Sequence, residues 1–391
     1  MVSHPDKTSP DVGEPGSVER PLAAQIAQAI GAAGGWLPFD RFMALALYAP
    51  DLGYYANQRR KFGLMPTSGS DFVTAPELSP LFARALAPQV AQLFSATSTQ
   101  AVIEFGAGSG ALAEGLIDAL DLLGSPPQRY LIVDLSGSLR ARQQARLARF
   151  GSRVQWLDTL PLAFEGVVIG NELLDAMPVQ LLHFDGAQWF ERGVVVVDPA
   201  NSGDGLAWSD RTTALRPPVD ADFVPGTITE IHPQAEAFVT TLAGWLRRGA
   251  ALFIDYGFPE QEYYLPQRHG GTLMCHHAHQ ADADPLVQLG LKDITAHVNF
   301  TGIALAAQNA GLAVQGYTSQ ARFLINCGLV PLLEHASLAE RAMAQKLVNE
   351  HEMGELFKVL LLMTASPRPG APDLAHFLPL GFAQGDRSHR L

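Results

Sequence analysis

Val102–Leu116 reads VIEFGAGSGALAEGL: an apolar run, one acid, three glycines at alternate positions, then a helix-forming stretch. A residue without a Cβ lets the backbone turn sharply and lets a ligand approach it closely. The N–H groups at the following helix start favour a polar or anionic ligand group. Gly106, Gly108 and Gly110 therefore read as a nucleotide-type loop rather than a bare strand-to-helix turn. Gly106, Gly108 and Ala111 also satisfy the dinucleotide fingerprint G-x-G-x-x-G/A, so the glycines alone do not choose a cofactor. Glu104 does. A carboxylate so close would repel a pyrophosphate but suits the cationic amino and sulfonium groups of S-adenosylmethionine. Asp134 ends the next strand, where a carboxylate can accept ribose hydroxyls of either cofactor. Asp158 follows the third strand, in VQWLDTL, where a side chain can reach an adenine amino group; a helix cap is the alternative.

More acids gather where a substrate should sit. The fourth strand opens onto NELLDAMPV, and ligands of open α/β sheets lie beyond the carboxyl ends of the strands. Asn171, Glu172 and Asp175 are thus expected at the meeting point of cofactor and substrate. DFVTAPE adds Asp71, Thr74 and Glu77, TEIHP adds Glu230 and His232, and IDYGFP adds Asp255 and Tyr256. Several carboxylates without a metal pattern suggest a cationic acceptor. An arginine guanidinium matches carboxylates bidentately. Its methylation needs carboxylates that orient one nitrogen and help its proton leave. CHHAH (275–279) fits no zinc spacing and is expected to be a mobile polar loop near the site, with no metal.

The elements that must hold these residues alternate. Strands at Ala101–Phe105, 130–135, 154–157 and 166–170 are separated by helices at 111–123 and 139–150. That spacing indicates parallel βαβ units in a doubly wound sheet. Residues 181–197 alternate with period two around Asp185-Gly186, a β-hairpin, and 198–226 is a polar, Pro/Gly-rich insert. Helices at 21–30, in 37–57, at 80–94, 233–247 and 334–350 are expected, with strands at 250–257 and 356–363 and a strand–helix stretch over 297–327. The domain reading is a disordered start (1–20), a helical and loop portion bordering the acceptor (21–97), the main domain (98–365) with an insert near 180–228, and a loop-like tail (366–391).

Twenty-seven basic residues against 39 acidic ones give a net charge of −12, which argues against a nucleic-acid binder. Two cysteines form no framework, and no apolar run reaches the ~18 residues of a membrane span. The start of the chain has neither the apolar centre of a signal peptide nor the arginines of a transit peptide. A cytoplasmic protein is expected.

The motifs ALYAPDLGYYAN, SDFVTAPELSPLF, VIEFGAGSGALA, YLIVDLSGSLRARQ, GNELLDAMPV, IDYGF, GGTLMCHHAH, DITAHVNFTGIA and GELFKVLLL run from about Leu22 to Met363. Together they resemble the MidA-like class I methyltransferases, which include the mitochondrial protein arginine methyltransferase acting in respiratory complex I assembly. The resemblance implies an α/β, doubly wound, mostly parallel seven-strand Rossmann-like sheet with a smaller helical and β-hairpin portion. It places S-adenosyl-L-methionine at Glu104, Gly106, Gly108, Gly110 and Asp134, and makes TAPE and NELLDA border the acceptor. It implies a protein substrate, with a subunit of NADH dehydrogenase as the candidate. Phe82-Ala83 departs from the family's frequent Phe-Gly, and LMPTSGS before Asp71 is a variable version. Both bear on the acceptor site. Two other readings remain open at this point: an assembly factor that keeps the pocket but acts by holding a partner, and a nicotinamide-dependent oxidoreductase.

Overall fold

Short apolar runs build the centre of the molecule. The computed structural model of the chain describes residues 18–57, 74–198, 205–364 and 377–391. Seven strands form the continuous path of its main sheet: β1 (Ala101–Phe105), β2 (Arg129–Val133), β3 (Val154–Trp156), β4 (Phe164–Asn171), β5 (Leu246–Phe258), β6 (Leu312–Ser319) and β7 (Phe357–Thr364), and the short strand Val298–Asn299 pairs with β5 off that path. Across the sheet they run β3-β2-β1-β4-β5-β7-β6. From β3 to β5 neighbours are parallel; β7 lies antiparallel between β5 and β6. Parallel strands need crossovers, which lay helices on both faces. That is why β1 is buried along its whole length. Helices Pro80–Thr97 and Ala111–Leu122 cover one face, Pro233–Trp245 and Phe300–Asn309 the other. The expected doubly wound, mostly parallel sheet is the one observed.

The local signals are ordinary. Leu112, Leu116, Ile117 and Leu120 place one stripe of helix Ala111–Leu122 in the core. Ser79 starts helix Pro80–Thr97 by accepting the Leu81 N–H at 3.2 Å, and Ser98 ends it in a left-handed conformation. Ala83, where the family pattern departs, packs here. A Cβ on Gly115 would lie 2.8 Å from it. The departure therefore concerns helix packing and not the shape of the acceptor site.

A second sheet carries the hairpin of Gln180–Phe184 and Trp189–Val196. Leu206–Thr212 and Thr227–Ile231 extend it on its two sides. Part of the segment read as a polar insert is thus a strand: Leu206 is buried and Trp208 lies 5.4 Å from Phe39. Helices Glu19–Ala32 and Phe39–Tyr48 share this sheet's core, whereas helix Pro80–Thr97 belongs to the main sheet. The 21–97 portion is therefore divided between two cores. A third, small sheet joins Met274–His277 to Gln280–Asp282 and Asp293–Thr295.

The tail is not a free loop where it is described. Phe382 packs on Phe323 at 5.4 Å, and residues 385–387 run along the outer edge of β6. There Tyr317 N–H donates to Asp386 Oδ1 at 2.9 Å, Arg387 N–H donates to Tyr317 O at 2.6 Å and the Thr318 hydroxyl donates to Gly385 O at 2.7 Å. The expected disordered start up to residue 17, the loop carrying Asp71, and residues 199–204 and 365–376 lie outside the described residues. Among the described residues no helix is long and apolar enough to cross a membrane.

Candidate active site

Strand order reverses between β1 and β4, and a cavity of about 830 Å³ opens beyond their carboxyl ends. Six carboxylates line it: Glu77, Glu104, Asp134, Glu172, Asp175 and Asp293. Among the described lining residues there is no lysine or arginine. Burial lowers the two histidines of the wall: His276 shifts down, and His297, further opposed by Arg268 and Lys358, falls to about 4. Both imidazoles are neutral at pH 7. The wall thus brings carboxyl groups together without a cationic side chain among its described residues.

One half comes from a single stretch of chain. Gly106 and Gly108 turn with φ of +66° and +53°, a region that L side chains enter at a cost. Gly106 N–H donates to Val133 O at 2.9 Å, which binds the loop to β2. Glu104 is buried on β1, where its Oε2 accepts the Tyr130 hydroxyl at 2.6 Å. Burial, with Asp134 adding to it against that hydrogen bond, raises Glu104 to about 7. Asp134 accepts the Ser136 N–H at 2.9 Å and the Gln143 amide at 2.7 Å, and Gln143 also donates to Gly108 O at 2.9 Å. The loop and the acid are thus fixed to each other.

Two residues expected here stand apart. Gly110 does not line the cavity. It precedes helix Ala111–Leu122 at φ +83°, and a Cβ there would meet Leu147 at 3.4 Å and Gln143 at 3.6 Å. Its lack of a side chain serves packing. Asp158 does not line the cavity either. Its side chain is 80% exposed and paired with Arg140.

The other half is assembled from distant segments. Glu172 follows β4 at φ +51°, an uncommon conformation for a residue with a side chain. Its N–H donates to Ile254 O at 2.9 Å. Its carboxylate accepts the Asn171 amide at 3.0 Å and the Ala75 N–H. Burial, then the neighbouring Asp175, raises Glu172 to about 8. Asp175 is 4% exposed and lies on the wall. The Tyr256 hydroxyl donates to its Oδ2, while burial raises it to about 6. Two buried acceptors, Asn171 Oδ1 and Asp175 Oδ1, have no hydrogen-bond partner among the described residues. Thr74 and Glu77 also reach the cavity, but the Glu77 carboxylate turns to the glycine loop. It accepts the Ser109 hydroxyl and pairs with Arg146 at 3.1 Å.

Three of the acids and bases expected on this rim are buried supports. Glu230 accepts the N–H groups of Thr272 at 2.8 Å and Leu273 at 3.0 Å. His232 faces His297 O at 2.9 Å. Asp255 Oδ2 gathers the N–H groups of Leu173 at 3.0 Å, Leu174 at 2.8 Å and Asp175 at 3.3 Å. None of the three lines the cavity. CHHAH is a strand and its turn rather than a polar loop, because Cys275 is buried in the accessory core while His276 faces the cavity. Among the described residues no group of three or more His, Cys, Asp or Glu is placed to hold a metal.

Several wall residues had not been singled out by type: Tyr48, Tyr55, Asp293 and His297. Tyr48 and Tyr55 stack with ring centroids 5.6 Å apart. The Tyr48 hydroxyl donates to Ala176 O and the Tyr55 hydroxyl to Asp293 Oδ1, each at 2.8 Å. All four sit in quoted motifs, ALYAPDLGYYAN and DITAHVNFTGIA, which was the available signal.

The comparisons agree with this architecture. The family described as "Putative S-adenosyl-L-methionine-dependent methyltransferase" matches residues 82–318. A Burkholderia thailandensis protein solved with S-adenosyl-homocysteine bound is 48% identical, with a TM-score of 0.89 over 98% of this chain and 100% of that one. A native crystal structure of a Burkholderia thailandensis protein is 47% identical, with a TM-score of 0.84 over the same shares. The mitochondrial protein arginine methyltransferase NDUFAF7 homolog of Drosophila melanogaster is 28% identical, over 97% of this chain and 91% of its own length. Its Caenorhabditis elegans counterpart is 24% identical, over 82% and 80%.

Proposed function

The chain belongs to this family of S-adenosyl-L-methionine-dependent methyltransferases, and from that premise we propose that its methyl acceptor is an arginine side chain of a protein. Membership decides the ambiguity of the glycine loop in favour of S-adenosyl-L-methionine as cofactor. The residues present fit that group. Gly106 and Gly108 clear a turn for close backbone approach, Asp134 suits vicinal hydroxyls, and Glu104 suits a cationic group. Bound there, the cofactor supplies a methyl group on a positively charged sulfur.

The observation that carries the arginine reading is a wall of six carboxyl groups with no lysine or arginine among its described residues. A ligand that brings several N–H donors complements such a wall. A guanidinium brings five, and it is always charged. In this reading Glu172 and Asp175 orient the acceptor nitrogen, and Asn171 holds Glu172. Glu77 joins the TAPE segment to the cofactor loop. The names of the Drosophila and Caenorhabditis relatives support arginine as acceptor. We extend the proposal to a subunit of NADH dehydrogenase as the protein substrate and to the cytoplasm as the compartment; the two buried, unbonded cysteines suit a reducing one.

The test is methyl transfer from labelled S-adenosyl-L-methionine by the purified full chain to purified NADH dehydrogenase subunits, read by mass spectrometry of the modified residue. Methylarginine is the expected product. Label found only on lysine, on a carboxylate or on no protein residue would overturn the arginine reading.

A further inference from the structure

We propose that His276 is a specificity-determining residue of the acceptor half: its ring accepts the Nε–H of the target arginine and so tells arginine from lysine. This rests on the reading of an arginine side chain as methyl acceptor in this half of the cavity.

The small sheet has two unlike faces. Its central strand Met274–His277 pairs with Asp293–Thr295, so that Met274 stands opposite Thr295, Cys275 opposite Ile294 and His276 opposite Asp293. Directly opposed residues of antiparallel strands share a face. Cys275 and Ile294 are buried in the accessory core, whereas Met274, His276, Asp293 and Thr295 all line the cavity. On the cavity face, exposure falls from one strand to the other. Met274 is 38% exposed and His276 is half-buried, while Asp293 and Thr295 are 3% and 2% exposed. The inner strand is tied to the acidic loop. Ala296 N–H donates to Asp175 O at 3.0 Å, and Asp293 accepts the Tyr55 hydroxyl at 2.8 Å. His276 therefore stands nearer the opening than Asp293 and Asp175 do. A side chain whose end reaches those acids presents the atoms just short of its end to His276.

The His276 ring is open to such a contact. No hydrogen bond among the described residues uses its nitrogens, and neither nitrogen is sealed from solvent, as Nδ1 of His232 and Nδ1 of His297 are. Burial lowers its pKa against the opposing Asp282, so the ring is neutral at pH 7 and one nitrogen is an acceptor. A neutral acceptor at that depth reads something the acids do not. Carboxyl groups attract an ammonium as well as a guanidinium. The two cations differ behind their terminal nitrogens, where arginine carries Nε–H and lysine only a methylene group. An acceptor on the entry side of the acids meets that N–H and finds no donor on a lysine. The ring adds no negative charge, so it contributes direction rather than further attraction.

The experiment is a calorimetric titration of the full chain saturated with S-adenosyl-homocysteine. The probes are N-acetyl-arginine methylamide and its amidine analogue, in which a methylene group replaces Nε–H. Both are planar cations with the same terminal nitrogens. The wild-type chain should bind the arginine probe about tenfold more tightly than the analogue. His276→Phe should bind both alike, and His276→Gln, which restores an acceptor, should regain part of the preference. An unchanged Kd for S-adenosyl-homocysteine reports that the fold of each variant is intact. A wild-type chain that binds both probes equally overturns the role of His276, as does a preference that survives in His276→Phe. A wild-type chain that binds neither probe overturns the arginine reading instead.

Discussion

The two halves of the cavity are built in opposite ways. The glycine-loop half comes almost wholly from Glu104–Leu112 and Val133–Leu139, two adjoining βα turns of one sheet. The acidic half draws on Tyr48, Tyr55, Glu77, Glu172, Asp175, Tyr256, His276 and Asp293, which meet only when three sheets are in place. The first half is a local property of a strand and a helix start. The second is a property of the assembled fold. Cofactor and acceptor binding should therefore fail separately when each half is altered.

The largest separation is expected from Glu172→Gln. It removes an ionisable carboxyl from the acidic half while keeping the shape and one hydrogen bond to Asn171. Methyl transfer should fall by about 10²-fold or more, while calorimetric affinity for S-adenosyl-L-methionine stays within roughly twofold. A parallel loss of cofactor affinity would dissolve the distinction between the halves. Gly108→Val is the converse. A β-branched residue at φ +53° carries a strain of about 1–2 kcal/mol and fills the turn. Cofactor affinity should drop at least about tenfold, and the Tyr48–Tyr55 side should keep its structure by near-ultraviolet circular dichroism.

A pH experiment treats both halves together. Burial raises Glu104 to about 7, Glu172 to about 8 and Asp175 to about 6. An acid whose folded pKa lies above its unfolded value stabilises the fold while it is protonated. That stability is complete below the unfolded value and is lost as pH rises through the folded one. The Tm of the ligand-free protein should therefore decline between about pH 5 and about pH 8. Saturation with the cationic cofactor should flatten the decline on the Glu104 side only. A Tm rising across that window would contradict the burial of these acids. The smallest effect is expected from Asp158→Asn. Its exposed pair with Arg140 is worth at most about 1 kcal/mol, and cofactor affinity should change by less than about twofold.

This contrast also explains what could be read from the chain. Short strands between amphipathic helices give the main sheet because apolar period and turn chemistry are local. Gly106, Gly108, Glu104 and Asp134 are legible as residues of the cavity wall for the same reason. Asp158 and Gly110 stand off the cavity, because Asp158 turns to Arg140 and Gly110 meets Leu147 and Gln143, and neither neighbour is written in the local pattern. Glu230 and Asp255 carry the same chemistry as Glu172, yet their neighbours make them anchors for backbone N–H groups. Only burial and partners separate these roles, and neither is written in residue type. Tyr48 and Tyr55 are marked only by the motif that holds them, because the segment that carries them reaches the cavity through the accessory core.

The tail along β6 has one further consequence. β6 is the last strand of the main sheet, and a bare strand edge is a template on which another chain can pair. Here the backbone of Tyr317 is already occupied on that side by Asp386 and Arg387. Residues 385–387 therefore act as a selvage, the finished margin that stops a fabric from unravelling or being stitched to the next. A protein cut before them would keep its cavity yet gain an adhesive border, and its troubles would surface as concentration-dependent fibrils or oligomers rather than as lost chemistry.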